Sequence, residues 1–268
     1  MGMRTGLLLC VFLFLFPGIV SPQVNRTGAP VVTWFDAMDI PGDLQNWSIT
    51  MDKRGVMYFG NQAKGIVTYD GLGWGLISMG REQRVNALAV DYRGIVYAGG
   101  ETDFGFIQPD DRGVPLFRSL ADRFTDPETR SDLKMISSIG ADSSTVFFTD
   151  RKKLFLYDLD KDSLTFIDMG NEYKLQDAGT ILVWEGRVII ADDRQGLYEY
   201  TEGKLVQIPG GNKLRMRRIV ALLPYDKESI VIATLKNGLY LLNIRTGELK
   251  SNLLPADVND KLRNSTIS

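Results

Sequence analysis

Short apolar runs alternate with polar turns along residues 46–77, and the rest of the chain repeats that pattern. WSIT, VMYFG, GIVTYD and WGLI are separated by DKRG, NQAK and DGLG. Apolar runs bounded by Asp, Asn and Gly predict strands joined by tight turns. A periodicity of 3.6 is never sustained, so helices are not expected to dominate. Residues 46–77 therefore read as one unit of four antiparallel strands.

Comparable units begin near Asn86, Ile136, Thr180 and Arg218, at spacings of about 38 to 50 residues. DKRG at 52–55 aligns with DYRG at 91–94, which superposes VMYFG on IVYAG. Each unit carries an apolar strand, a polar turn and a strand rich in Val, Ile, Phe and Tyr. A polar loop then leads to a third strand opening with Gly-Leu or Gly-Ile, and a shorter outer strand follows. Near-continuous apolar runs fit strands buried on both faces between neighbouring sheets. The expected fold is all-β: a β-propeller of four-stranded antiparallel blades, with about five blades present. Residues 262–268, LRNSTIS, read as the start of a sixth.

Two stretches depart from the repeat. Residues 24–45 are a lead-in, with VVTWF at 31–35 expected as a strand and Pro41, Gly42 and Asp43 as a turn. Residues 120–134 are polar and longer than a turn, and read as a briefly helical insertion between the second and third units.

Composition narrows the chemistry. The 268 residues are 44% hydrophobic, enough for a sizeable core, and the net charge of -2 provides no global attraction to nucleic acid or anionic membrane. There is no histidine, which excludes Ser-His-Asp triads, Cys-His dyads and HExxH zinc sites within these residues. Cys10 is the only cysteine, so no intramolecular disulfide and no cysteine-based zinc site can form.

Arg4, the apolar core at 7–16 and the break at Pro17 and Gly18 match a secretory signal peptide over residues 1–23. That core is short for a bilayer of roughly 30 Å. Leu9 stands where a lipoprotein signal wants a small residue, so lipidation of Cys10 is not expected. Asn25, Asn46 and Asn264 match the glycosylation pattern, which matters only in a host using that pathway. The expected location is outside the cytoplasmic membrane, periplasmic or extracellular.

The motif D-x-x-G, an aromatic-rich strand ending in G-N or G-G, then G-hydrophobic-x-x-Y-D, resembles the two-component-regulator propeller repeat. QNWSITMDKRGVMYFGN at 45–61 is similar to the first propeller repeat of exported sensors that carry a triple-tyrosine module. The resemblance implies a seven-bladed, extracytoplasmic sensor domain. In that family it precedes a triple-tyrosine domain, a membrane helix and an output module: histidine kinase, phosphatase or DNA-binding domain. It implies a receptor dimer and a small-molecule or oligosaccharide ligand. None of the downstream parts is present, so residues 46–268 are expected to be the N-terminal part of a longer sensor; a complete five-bladed propeller is the rival. A ring short of blades is expected to expose strand edges and to be poorly soluble or oligomeric.

Up-and-down topology places the second-to-third-strand loops and the links between blades on one face. The ligand candidates on that face are Trp47, Asn61, Lys64, Glu101, Asp103, Asp192, Asp193, Arg194, Lys236 and Asn237. They combine carboxylates, amides, cations and an aromatic, as recognition of a sugar or small polar ligand needs. Each also has a plain reading as a solvated loop residue, and Trp47 as a blade-packing aromatic. Asp192 and Asp193 are adjacent on one loop and lack the facing separation of a glycosidase pair. No catalytic residue, metal or cofactor is therefore assigned, and the chain is not expected to be an enzyme. KLRMRR at 213–218 is the only basic cluster, a solvated link or an anion site; without a wider basic face, nucleic acid is not an expected partner. A ligand sensor is the leading function. An exported propeller enzyme acting on polysaccharide and a protein-interaction scaffold are the alternatives.

Overall fold

The computed structural model describes residues 32–251, 253–255, 257–258 and 261. The signal segment 1–23, the first part of the lead-in and the proposed sixth unit at 262–268 lie outside these residues. The chain divides into two compact units, Met1–Phe35 and Asp36–Ser268. In the first, residues 32–35 adopt no strand. The strand expected over VVTWF is thus absent where it is described.

In the second unit, five sheets of four strands follow one another along the chain. The first sheet is β1 (Asn46–Met51), β2 (Met57–Asn61), β3 (Ile66–Tyr69) and β4 (Trp74–Ile77). The second is β5 (Val85–Val90), β6 (Val96–Gly100), β7 (Phe104–Pro109) and β8 (Pro115–Ser119). The third is β9 (Ser138–Ala141), β10 (Thr145–Thr149), β11 (Lys153–Asp158) and β12 (Ser163–Asp168). The fourth is β13 (Ala178–Trp184), β14 (Arg187–Asp192), β15 (Gly196–Thr201) and β16 (Lys204–Gln207). The fifth is β17 (Ile219–Pro224), β18 (Ser229–Thr234), β19 (Gly238–Asn243) and β20 (Leu249–Ser251). Every pairing between neighbouring strands is antiparallel and in chain order, which is the blade of a β-propeller. The inner strands neighbour one another in sequence: β1 beside β5, β5 beside β9, β9 beside β13 and β13 beside β17.

The insertion after β8 is anchored at both ends, because Leu120, Ala121 and Leu133 are buried. Between them runs a short helix, Pro127–Ser131. Pro127 opens it, and the Asp126 carboxylate accepts from the Glu128 and Thr129 amides. A second short helix, Met169–Tyr173, follows β12 and was not signalled by the sequence pattern.

Apolar packing lies between the sheets. One cluster joins the first and second through Tyr58, Ile66, Val85 and Val96. Phe104, Phe148 and Phe155 tie the second to the third, with Phe148 and Phe155 4.8 and 5.0 Å from Phe104 between ring centroids. Similar clusters join the third to the fourth and the fourth to the fifth. Each such side chain contributes about 1.5–3 kcal/mol on full burial. Close approach needs small residues: a Cβ on Gly60 would sit 2.5 Å from the Val85 carbonyl oxygen, and one on Gly99 2.4 Å from the Ile136 side chain.

The turns after β1 and β5 share one polar device. Asp52 accepts from the Arg54 and Val56 amides at 2.9 and 3.1 Å, from the Arg54 guanidinium and from the Tyr58 hydroxyl. Asp91, Arg93, Ile95 and Tyr97 repeat it. Burial pushes the Asp52 carboxyl up, but these donors outweigh it and hold the group below the usual carboxylate range.

The outer face of the first sheet is apolar and is open to solvent on its first and last strands, while Val67 between them is buried. Register aligns Ile49, Phe59, Val67 and Leu76 in one row and Met51, Met57, Tyr69 and Trp74 in the next. Ile49, Met51 and Leu76 are 58%, 60% and 46% exposed. At the other end of the stack, Leu223, Val231 and Leu241 align on the far side of the fifth sheet, with Leu223 exposed. Propeller sheets meet face to face, so what stands open is a sheet face, where the sequence reading expected strand edges.

Two outcomes follow from these contacts. Asp52→Ala should lower stability by about 2 kcal/mol, because buried donors lose their acceptor. The Asp52 contribution should be complete above the ordinary carboxylate range and fade as pH falls through its depressed value; chemical denaturation at several pH values checks both. The full chain should self-associate end to end, the open first-sheet face against the far side of the fifth sheet of a second copy. Ile49→Lys combined with Leu76→Lys should return it to monomer in sedimentation without lowering Tm.

Candidate functional site

The first residues of the inner strands surround one cavity of about 750 Å³. Gln45, Asn46 and Trp47 line it from the first sheet and Asn86 from the second. Ser137, Ser138 and Arg151 contribute from the third, Gly179, Thr180 and Asp193 from the fourth, and Arg218, Ile219 and Val220 from the fifth.

A local irregularity turns these residues inward. In β1 the register shifts between Asn46 and Ser48, in β5 between Val85 and Ala87, in β13 between Ala178 and Thr180, and in β17 between Ile219 and Ala221. The extra residues, Trp47, Asn86, Gly179 and Val220, are all cavity residues. A β-bulge frees its residue from the ladder and re-aims its side chain.

Trp47 is 45% exposed. The Arg84 guanidinium lies 5.1 Å from its ring centroid, and its indole N–H donates to Gln62. The ring is therefore oriented while part of its surface stays open. Asp193 accepts from the Ile219 amide at 2.8 Å. Burial pushes its carboxyl up, while the Ile219 amide and the Arg151 and Arg218 charges pull the other way.

The other candidates do different work. Asn61 is fully buried: its amide donates to the Asp43 carbonyl at 2.7 Å and its oxygen accepts from the Asp43 amide at 3.0 Å. Asp192 is fully buried too, and accepts from the Gln176, Asp177, Arg194 and Gln195 amides at 2.7 to 3.0 Å. Asp150 plays the same part, with the Lys134, Lys152 and Lys153 amides. These groups staple the loop after the second strand to the link that enters the inner strand. Their oxygens are occupied by backbone amides, so Asn61 and Asp192 act as scaffold.

Lys64 pairs with Glu82, Glu101 lies 3.3 Å from Arg84, and the Arg194 guanidinium donates to Asp177 at 2.7 Å. Asp103 sits away from the cavity, in a side groove with Ser119 and Arg123. Burial pushes its carboxyl up, against a hydrogen bond from Ser119. The Asn237 amide donates to Thr234, and neither Lys236 nor Asn237 lines the cavity. Of the ten candidates, only Trp47 and Asp193 reach it. Among the described residues no group of His, Cys, Asp and Glu is arranged to hold a metal ion, and no helix is long and apolar enough to cross a membrane.

No family model matches the chain, and no curated protein matches it. Solved structures do. Virginiamycin B lyase from Staphylococcus aureus is similar with a TM-score of 0.61 at 13% identity, over 79% of this chain and 70% of that one. A form of that lyase with alanine in place of a histidine is catalytically inactive. The extracellular domain of a protein described as a hybrid two-component system, BT4673 from B. thetaiotaomicron, matches with a TM-score of 0.58 at 19% identity. That match covers 81% of this chain, which spans 28% of the neighbour. The WD40 β-propeller domain of Doa1 matches with a TM-score of 0.56 at 11% identity, over 78% of this chain and 69% of that one. At these identities the likeness shows the propeller fold.

Scaffold and surface roles separate by mutation. Asp192→Ala should cost about 3 kcal/mol, since four part-buried amides lose one shared acceptor, whereas Lys236→Ala should leave the Tm within about a degree. Thermal unfolding of the two variants side by side checks this.

Proposed function

We propose that this chain is the ligand-sensing propeller of an exported bacterial signal-transduction receptor. It acts outside the cytoplasmic membrane and binds a small polar or oligosaccharide ligand. The signal passes to output domains of the same receptor, which works as a dimer. The observation carrying this reading is the cavity to which every sheet contributes a polar side chain or an inner-strand backbone. Its volume of about 750 Å³ lies in the range of small-ligand sites. A ligand touching several sheets at once favours one arrangement of blades over another, which is what a sensor requires. The likeness to the two-component extracellular domain supports the same role.

The cavity is a binding site and not a catalytic one. The chain has no histidine, and its one well-placed carboxylate, Asp193, is engaged with the Ile219 amide. The likeness to the lyase concerns the fold. Nucleic acid is not the expected partner, because the basic cluster is short and two of its cations are held by local contacts. Lys213 donates to the Gly247 carbonyl, and Arg217 donates to Lys213 and stacks 4.8 Å from the Tyr240 ring centroid.

Calorimetry of the full chain against neutral and acidic soluble oligosaccharides should find saturable binding without turnover. Trp47→Ala should weaken it about tenfold, the effect of losing one ring contact. Turnover of a saccharide, or saturable binding of none, overturns the reading.

A further inference from the structure

The cavity has more positive hydrogen-bonding capacity than its own carboxylates use. Arg151 and Arg218 line it, and both charges act on Asp193. The nearest contact of Arg151 is loose, 3.7 Å from Asp177, and Asp177 already takes the Arg194 guanidinium at 2.7 Å. Arg218 is exposed, and its guanidinium donates no hydrogen bond among the described residues. Asp193 has one oxygen on the Ile219 amide. Three guanidiniums thus share two carboxylates, and those of Arg151 and Arg218 keep most of their donors free.

The backbone at Arg151 is held in a fixed conformation. Its φ of 78° is in the left-handed region, unfavourable for a side chain of this size. The Thr149 hydroxyl accepts from its amide, and its carbonyl accepts from the Ala178 amide at 3.1 Å, which holds it in that conformation. Strain of this kind persists where the surroundings over-determine it, and it is common at ligand sites. Around the two cations lie Gln45, Asn46, Asn86, Trp47 and three hydroxyls. Ser137 and Thr180 donate to the Thr149 and Ile219 carbonyls and can still accept, and Ser138 accepts from the Ile181 amide and can still donate.

We propose that the ligand is an anionic saccharide-like molecule: its carboxylate or sulfate pairs with Arg151 and Arg218, its hydroxyls meet the amide and hydroxyl rim, and a ring packs on Trp47. Guanidinium matches planar oxyanions through paired N–H donors, and such charge-assisted bonds are about twice as strong as neutral ones. A neutral ligand would offer the two cations only hydroxyl acceptors, which make weaker bonds than a charged oxyanion. This inference rests on the sensor reading and specifies the chemistry of its ligand.

The test titrates the full chain by calorimetry with uronate disaccharides, sulfated disaccharides and the neutral counterpart of each. At least one acidic sugar should bind, with its neutral counterpart about tenfold weaker or more, and its affinity should fall with added salt. The uronate and sulfate arms separate the two sources of charge. Arg218→Gln should lower the acidic sugar's affinity about tenfold. Arg218→Lys, which keeps charge and loses the fork, should fall between. Arg218 is exposed, so an unchanged Tm in both variants verifies the fold. Equal binding of neutral and acidic sugars, or an affinity indifferent to Arg218, overturns the anionic ligand and leaves the sensor standing. Binding of no sugar overturns both.

Discussion

The fold depends on sheets that are apolar on both faces. A four-stranded sheet of this kind cannot cover itself, and burial comes only from a neighbour on each side. The Phe104, Phe148 and Phe155 cluster shows how that works: rings from two sheets meet in one buried apolar layer. Gly60 and Gly99 hold the layers close, because any larger residue would strike the next sheet. With both faces committed to packing, only strand ends and loops remain for polar work. The cavity follows directly, since it lies where five inner strands begin.

Those strand ends carry two kinds of polar residue. Asn61, Asp150 and Asp192 point inward to the backbone and shape the loop. In the second sheet the same place is Gly100, and the Gln83 side chain reaches in to accept the Thr102 amide instead. Trp47, Arg151, Asp193 and Arg218 face the cavity. A carboxylate fully saturated by amides is a rigid loop anchor, whereas a guanidinium with spare donors is a receptor for something else. The neighbours Asp192 and Asp193 show the division within one dipeptide.

Much of this architecture is legible in the sequence. The strands and turns of the first unit lie almost where the runs WSIT, VMYFG, GIVTYD and WGLI place them. Turn chemistry and two-sided apolar strands are local signals, and the blade reading needs nothing more. The face on which the cavity opens is legible from topology alone. The residues are not. Polar loop residues look alike in one dimension, and nothing local says that Asn61 and Asp192 are consumed by backbone amides while Arg218 is spare. The bulges leave no pattern either, because one extra residue in an apolar run reads as a longer run. Arg151 lies in a second-to-third-strand loop of that face, but its left-handed φ and its bridge to Ala178 leave no mark in the run DRKK. VVTWF misled for a related reason, since a β-rich composition needs a partner strand to become a strand.

The bulges carry an evolutionary consequence. Trp47, Asn86, Gly179 and Val220 belong to inner strands but are released from the ladder that packs the sheets. Exchanging one of these side chains alters the wall of the cavity without asking any core layer to repack. Four such positions, each on a separate repeat, can drift independently and be tried in combination. Duplication of a blade therefore multiplies recognition surfaces as well as copies of a stable unit. A lineage of such proteins could diverge widely in what it detects while its architecture stays still.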